Sequence, residues 1–264
     1  MSAVLKLDGV WTAFDRGRDR VSVFEDASLT IGEGEIVAVV AGAGQGKTTL
    51  IRLASGTLPP DRGAVRMAGV DLSQLKDKQL AAVLASQVGI ATGAGPGVGV
   101  TVREYVEMAA GAPKNGWRRR WRRRERRRMT TALLDELGIA SCASLQWDEL
   151  SDWQRVLVDV AQAVVVLPRL LLLDDLAGGF GLRQKQELMA VLEGFARQHE
   201  CGILMAVADH GSALRAVRVW RVHHRELQLM VDHTDADVDA DADVIPLRRI
   251  HNRGETPSAR RHDA

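Results

Sequence analysis

The chain has 264 residues, 46% of them hydrophobic and 26% charged, an ordinary globular balance with room for one large domain or two small ones. A formal net charge of +1 excludes a polyelectrolyte that binds partners through overall charge, so local clusters carry the information. Cys142 and Cys201 have neither metal-site nor redox spacing and read as buried or incidental thiols of a reducing cytoplasm. The first residues, Met1-Ser2-Ala3-Val4-Leu5-Lys6, lack a signal-peptide pattern. No apolar run approaches the roughly 20 residues that span a bilayer. Any membrane part of the function is therefore expected on another chain.

Residues 4–7 and 21–31 alternate apolar and polar positions, which predicts antiparallel strands. Phe14 lies between them, either as an aromatic that stacks on an adenine ring or as a partly buried turn residue. Residues 35–40 then form an apolar run, followed by Ala41-Gly42-Ala43-Gly44-Gln45-Gly46-Lys47-Thr48 and a helix-like run beginning at Thr49. Strand, glycine-rich loop, Lys-Thr, helix is the context of a phosphate-cradling loop. Its glycines let backbone N–H groups converge on one anion, and the following helix adds partial positive charge. Lys47 is then placed to reach the β- and γ-phosphates, and the Thr48 hydroxyl to ligate Mg²⁺.

Residues 59–63 form a turn cluster and 64–70 a hairpin. Residues 81–86 are expected as a strand ended by Gln87, followed by a flexible glycine-rich connection over 89–99. A helix start at 101–104 opens a mainly helical insert that runs to about Trp147. Inside it nine arginines occupy the eleven positions from Arg118 to Arg128, with Trp117 and Trp121 on one helical face. That run is a solvated face, a contact for anionic lipid headgroups, or a contact for nucleic acid. Residues 129–139 read as an amphipathic helix ended by Gly138.

A second cluster begins at Leu150-Ser151-Asp152-Trp153-Gln154-Arg155 and leads into a helix over 156–166. Four leucines, 170–173, deliver Asp174 and Asp175 to the end of a buried strand, where a phosphate-binding fold needs a carboxylate for Mg²⁺. Asp175 is next in line to orient or deprotonate an attacking water. A helix over 182–198 precedes another buried strand from 202 that ends at Asp209-His210, with His210 a candidate sensor of the γ-phosphate. A hairpin over 218–230 closes the domain. From Val231 an acidic tract, Asp232 to Asp243, and then a basic end indicate a disordered tail over 231–264.

Together these motifs resemble the ATP-binding subunits of ABC transporters over about residues 4–230. The resemblance implies an α/β P-loop NTPase (RecA-like) core, an antiparallel β subdomain and an inserted helical subdomain at about 89–149. It assigns nucleotide contacts to Phe14, the loop from Ala41 through Thr48, and Thr49. Ser151 and Gln154 act across a head-to-tail dimer; Thr48, Gln87 and Asp174 hold the metal; Gln87, Asp175, Asp209 and His210 carry catalysis. The implied cofactors are ATP and Mg²⁺. The implied partners are separate permease chains, at the inner face of the membrane, and a second ATP-binding subunit in a homo- or heterodimer.

The departures from that family are specific. Ala41 stands for the first loop glycine, Asp152 and Trp153 for the signature glycines, Asp175 for the catalytic glutamate and Gly181 for a loop aspartate. Asp209 stands for the switch histidine, with His210 one place late. ATP binding with slow or shared hydrolysis is therefore expected, in a subunit most similar to export types. The alternatives are a catalytically impaired regulatory subunit, or a soluble ABC-type ATPase acting on nucleic acid through the arginine run.

Overall fold

A computed structural model describes residues 3–97, 99–111, 123–213 and 215–233. Two sheets face each other. In the first, β1 (Ala3–Arg16) pairs antiparallel with β2 (Asp19–Gly32) and with β4 (Arg62–Met67), and the short β5 (Val70–Asp71) follows, giving the order β2-β1-β4-β5. The second has six strands, among them β3 (Ile36–Val40), β6 (Val88–Ala91), β7 (Leu170–Asp174) and β8 (Gly202–Val207). With the closing hairpin β9 (Arg218–His223) and β10 (Glu226–Asp232), the order is β10-β9-β3-β8-β7-β6, parallel except for β10.

The central strands are apolar at nearly every position because helices or the other sheet cover both faces. Side chains alternate between two cores. Val37, Val39, Leu170, Leu172 and Leu204 join Leu5, Phe24 and Ile31 of the first sheet and Leu50 and Leu53 of α1 (Lys47–Ala54). Ile36, Ala38, Leu171, Leu173 and Ile203 point the other way, onto Leu188, Leu192 and Phe195 of α6 (Leu182–His199) and Val160 of α5 (Asp152–Val164). A third cluster sits among α5, α3 (Val102–Gly111) and α4 (Arg123–Glu136), where Val106, Leu134 and Val158 are buried. Gly138, at φ 70°, ends the turn after α4, with Ile139 N–H bonded to the Leu134 carbonyl, as its glycine predicts.

Parallel strands put their C-terminal ends on one edge. The β3 end, Asp174 and the residues after β8 therefore meet there. A partly buried ion pair pins the opposite side: Arg218 Nε donates to Glu35 Oε1 at 2.5 Å, and Arg218 Nη2 donates to the Thr30 carbonyl at 2.6 Å. Both cysteines are free and buried, and burial pushes the Cys201 thiol up to about 12.

Several expected boundaries move. Residues 81–86 belong to helix α2 (Asp77–Gln87), not to a strand. Gln79 Oε1 accepts the Lys76 N–H at the start of that helix, and the Leu, Ala and Gln content suits it. The strand comes afterwards, as β6, so the insert begins beyond Ala91 and not at 89. Phe14 lies within β1 opposite Val21, not in a turn. The helix after Leu150 starts at Asp152 rather than 156, and β10 extends to Asp232. Trp117, Trp121, Arg118 to Arg122 and residues 234–264 lie outside the described residues.

Candidate functional site

The loop after β3 departs from the sheet at Ala41, whose N–H still bonds the Val207 carbonyl of β8 at 2.9 Å. Ala41 is 1% exposed and packs in the first core, so alanine supplies a methyl where the loop's first position is buried. Gly44 and Gly46 adopt φ values of 73° and 98°, the region glycine favours. A Cβ on Gly46 would also stand 2.7 Å from Val23 Cγ1, so this glycine is required by space as well as by conformation. Gln45 braces the turn: its Oε1 accepts the Gly42 N–H at 2.7 Å. At the start of α1 the N–H groups of Lys47, Thr48 and Thr49 have no intrahelical acceptor, the arrangement that receives an anion.

Lys47 Nζ folds back over this loop, donating to the Ala41 carbonyl at 3.0 Å and the Gly42 carbonyl at 3.4 Å. It also lies 3.4 Å from Asp175 Oδ2. Thr48 Oγ1 donates to Asp174 Oδ2 at 2.6 Å. A hydroxyl and a carboxylate converging on one point form an all-oxygen pair of the type Mg²⁺ prefers, with the remaining positions left for water and phosphate. These residues fit the metal the fold implies. Asp175 sits at φ 53°, its N–H on the Ala206 carbonyl and its Oδ1 accepting the Ala208 N–H at 3.1 Å. That contact aims its second oxygen at Lys47.

Beside the loop a cavity of about 290 Å³ is lined by Val21, Val23, Gly44, Gln45, His224 and Arg225. Phe14 stands opposite Val21 and is 37% exposed, an aromatic face available next to that opening. His224 and Arg225 come from the β9–β10 turn. Nothing local marks them in the sequence, because their approach depends on sheet order.

Ser151 and Gln154 are engaged with each other. Ser151 Oγ accepts the Gln154 N–H at 3.3 Å and Gln154 Oε1 accepts the Ser151 N–H at 2.9 Å, a capping box that starts α5. The structure does not bring them to the Ala41–Thr48 loop of the same chain through any hydrogen bond among the described residues. Asp152 is mostly exposed and pairs with Arg155 at 3.1 Å. Trp153 packs edge-on against Phe180, with ring centroids 5.5 Å apart.

Of the expected catalytic residues Gln87 is displaced, whereas Asp209 and His210 follow β8 at the expected edge. Gln87 ends α2 at the N-terminal end of β6, where its carbonyl accepts the Arg169 N–H at 2.9 Å. Val88 pairs with Leu170 and Ala91 with Leu173, so Gln87 and Asp174 lie at opposite edges of the sheet. Gln87 is corrected from both the metal and the catalytic sets. At the nucleotide edge β6 runs instead into Thr92-Gly93. Asp209 is already occupied: Lys185 Nζ lies 2.9 and 3.0 Å from its two oxygens, and its Oδ1 accepts the Ser212 N–H at 3.0 Å. The Lys185 ammonium holds the Asp209 carboxyl below its ordinary 3.8. His210, next in the chain, is exposed at the start of a short 3-10 turn.

A strand, a glycine loop and a helix, with a Lys beside one strand-end carboxylate and a Thr on another, define a P-loop nucleotide-binding domain. The family described as ABC transporter matches residues 24–177, more than half of the chain, and the chain belongs to that family. A macrolide export ATP-binding/permease protein of Yersinia pestis is 28% identical over 256 residues, covering 94% of this chain. The chain spans only 37% of that relative's length. A lipoprotein-releasing system ATP-binding protein of Chromohalobacter salexigens is 28% identical over 230 residues, covering 85% of this chain and 92% of the relative. The fold matches the dimeric structure of the bacterial ABC transporter cassette MJ0796, with a TM-score of 0.77 at 21% identity over 85% of this chain and 96% of that one.

Proposed function

We propose that the chain is an ATP-binding, ATP-hydrolysing energy-coupling unit of an ABC transporter of export type, working with separate permease chains at the cytoplasmic face of a membrane. The Thr48–Asp174 contact at 2.6 Å, with Lys47 beside Asp175, carries this reading. The loop N–H groups and Lys47 bind the phosphates, and Phe14 covers the base. Mg²⁺, when bound, neutralises phosphate charge. Thr48 and Asp174 hold it, while Asp175 accepts a proton from the attacking water. A second cassette, of the same or another chain, presents its own Ser151-type cap to this loop. The similarity to a lipoprotein-releasing ATP-binding protein over nearly that protein's full length supports the export assignment. Exposed Arg124, Arg127 and Arg128 at the start of α4 suit contact with anionic headgroups beside the permease.

A regulatory subunit with weak turnover is a second reading, favoured by the Asp209–Lys185 pair, which occupies the expected switch position. Phosphate release measured on the purified chain, alone and with a catalytically intact cassette, separates the two. Turnover by the chain alone supports the motor reading; turnover only with the second cassette supports the regulatory one. Absence of Mg-ATP binding by titration calorimetry at millimolar nucleotide would overturn both.

A further inference from the structure

We infer that Asp159 is a positioning residue that couples the nucleotide edge of the sheet to the helical insert, an inference that rests on the proposed nucleotide site. Asp159 is a single acid in the buried stretch Val156-Leu157-Val158-Asp159-Val160-Ala161 of α5 and is 2% exposed. A carboxyl in such surroundings is unfavourable unless its oxygens are satisfied. Both are. Oδ2 accepts the Gly93 N–H at 2.7 Å, and Oδ1 accepts the Tyr105 hydroxyl at 2.8 Å.

The two donors belong to different parts of the molecule. Gly93 follows β6 at the edge that carries Asp174, since Ala91 pairs with Leu173. At φ 74° it lies beside Leu176, the residue after Asp175: a Cβ there would stand 3.8 Å from Leu176 Cδ2. Tyr105 lies on α3, in the insert. Asp159 itself lies on the helix that begins with the Ser151–Gln154 cap. One carboxyl thus ties the loop after β6, α3 and α5 together.

A second string runs alongside. A Cβ on Gly95 would meet the Trp147 ring at 2.3 Å, Trp147 packs edge-on against Tyr105 with centroids 5.9 Å apart, and the Trp147 carbonyl accepts Arg155 Nε at 3.0 Å. Burial, and then the Asp159 charge, raise the Tyr105 hydroxyl above its ordinary 10, so it stays protonated and donates. The Thr92-Gly93 segment carries no long side chain that could reach into the insert. The tie runs instead through a backbone N–H to a carboxyl on the other side. When nucleotide moves the strand ends, Gly93 moves, and Asp159 must follow or leave a buried polar group unpaired. The displacement passes to α3 and α5.

Amide exchange on the full chain, with and without Mg-ATP, tests this in the wild type, Asp159→Asn, Tyr105→Phe and, as a nucleotide control, Lys47→Ala. In the wild type, peptides over 41–54 and over 102–111 both slow on nucleotide addition. In Asp159→Asn the 41–54 response remains, and the 102–111 response falls by about fivefold or more, the low end of site-to-site coupling. A merely structural Asp159 would lower thermal stability and leave the nucleotide-dependent difference over 102–111 intact; that result overturns the inference. If Asp159→Asn does not fold, Tyr105→Phe decides, because it keeps the carboxyl and its Gly93 bond: a reduced 102–111 response supports the coupling and an unchanged one overturns it. A wild type that responds over 41–54 but not over 102–111 also overturns it. A wild type silent over 41–54 removes the nucleotide site and this inference together.

Discussion

Thr48 Oγ1 and Asp174 Oδ2 are 2.6 Å apart although 126 positions separate them in the chain. Asp174 ends β7 and Thr48 opens α1 after the loop that leaves β3; β3 and β7 flank β8, so the contact reports the order of the parallel sheet as well as the chemistry at its edge. The bond lies near solvent, and losing it alone is worth about 1 kcal/mol or less in stability. Its weight lies in metal binding. Asp174→Ala is expected to leave Mg-free ATP binding nearly unchanged and weaken Mg-ATP binding by about 10- to 100-fold, the range of a charge-assisted contact. Lys47→Ala is expected to weaken binding with and without Mg²⁺. Titration calorimetry with and without chelator distinguishes the two.

Asp175 is held by the Ala208 N–H and faces Lys47 at 3.4 Å. Asp175→Asn removes the proton acceptor and is expected to lower phosphate release by about 100-fold. Asp175→Glu adds one methylene toward the attacking water, and a correction on the order of 1 Å is expected to raise turnover by about tenfold. The same change carries a cost. The residue has φ 53°, where aspartate is tolerated better than glutamate, so the Glu variant is expected to lose about 1 kcal/mol of stability by thermal melting. A Glu variant with lower turnover would show that the site is built around the shorter acid.

The P-loop and β7 were legible because their signal is local: a run of apolar residues, then glycines or acids at its end. The Lys47, Thr48 and Asp174 constellation followed from that alone. Residues 81–86 misled because a short Ala, Val and Leu run suits strand and helix equally, and only the Lys76–Gln79 cap and the following β6 decide between them. Gln87 goes with that segment, as the last residue of α2. Asp159, Lys185 and His224 carried no readable signal, since each matters through residues far away in the chain. Asp209 reads from the sequence as a departure, but its occupation by Lys185 depends on how the start of α6 packs against the residues after β8.

Asp152 and Trp153 occupy the signature glycine positions, and the structure gives each a neighbour. Asp152 pairs with Arg155 near solvent, and Trp153 rests on Phe180. Replacing both with glycine loses an aromatic contact of about 1 kcal/mol and adds about 1 kcal/mol of helix cost per glycine. The double variant is therefore expected to melt at lower temperature. If these side chains hinder apposition of two cassettes, it is also expected to dimerise more fully with ATP. Light scattering on the Asp175→Asn background, where turnover does not deplete the nucleotide, measures this. An unchanged monomer fraction would show that dimer formation is limited elsewhere.

The Lys185–Asp209 pair makes a pH prediction with a definite sign. Lys185, first among the causes, lowers the Asp209 pKa from 3.8, and Ser212 contributes through its N–H and hydroxyl. A carboxyl whose folded pKa lies below its unfolded value stabilises the fold above the unfolded value and loses that contribution as pH falls through the folded one. Lys185→Met removes the ammonium while keeping the stem. The wild type is then expected to be more stable than the variant at neutral pH, with the gap narrowing as pH falls below 3.8 and closing only once pH has passed through the lower folded-state value, where Asp209 is protonated in both. Urea melts at a series of pH values read this gap directly. A gap of constant size down to low pH would mean that Lys185 acts through packing of its buried stem against the turn that follows β8, and not through its charge on Asp209.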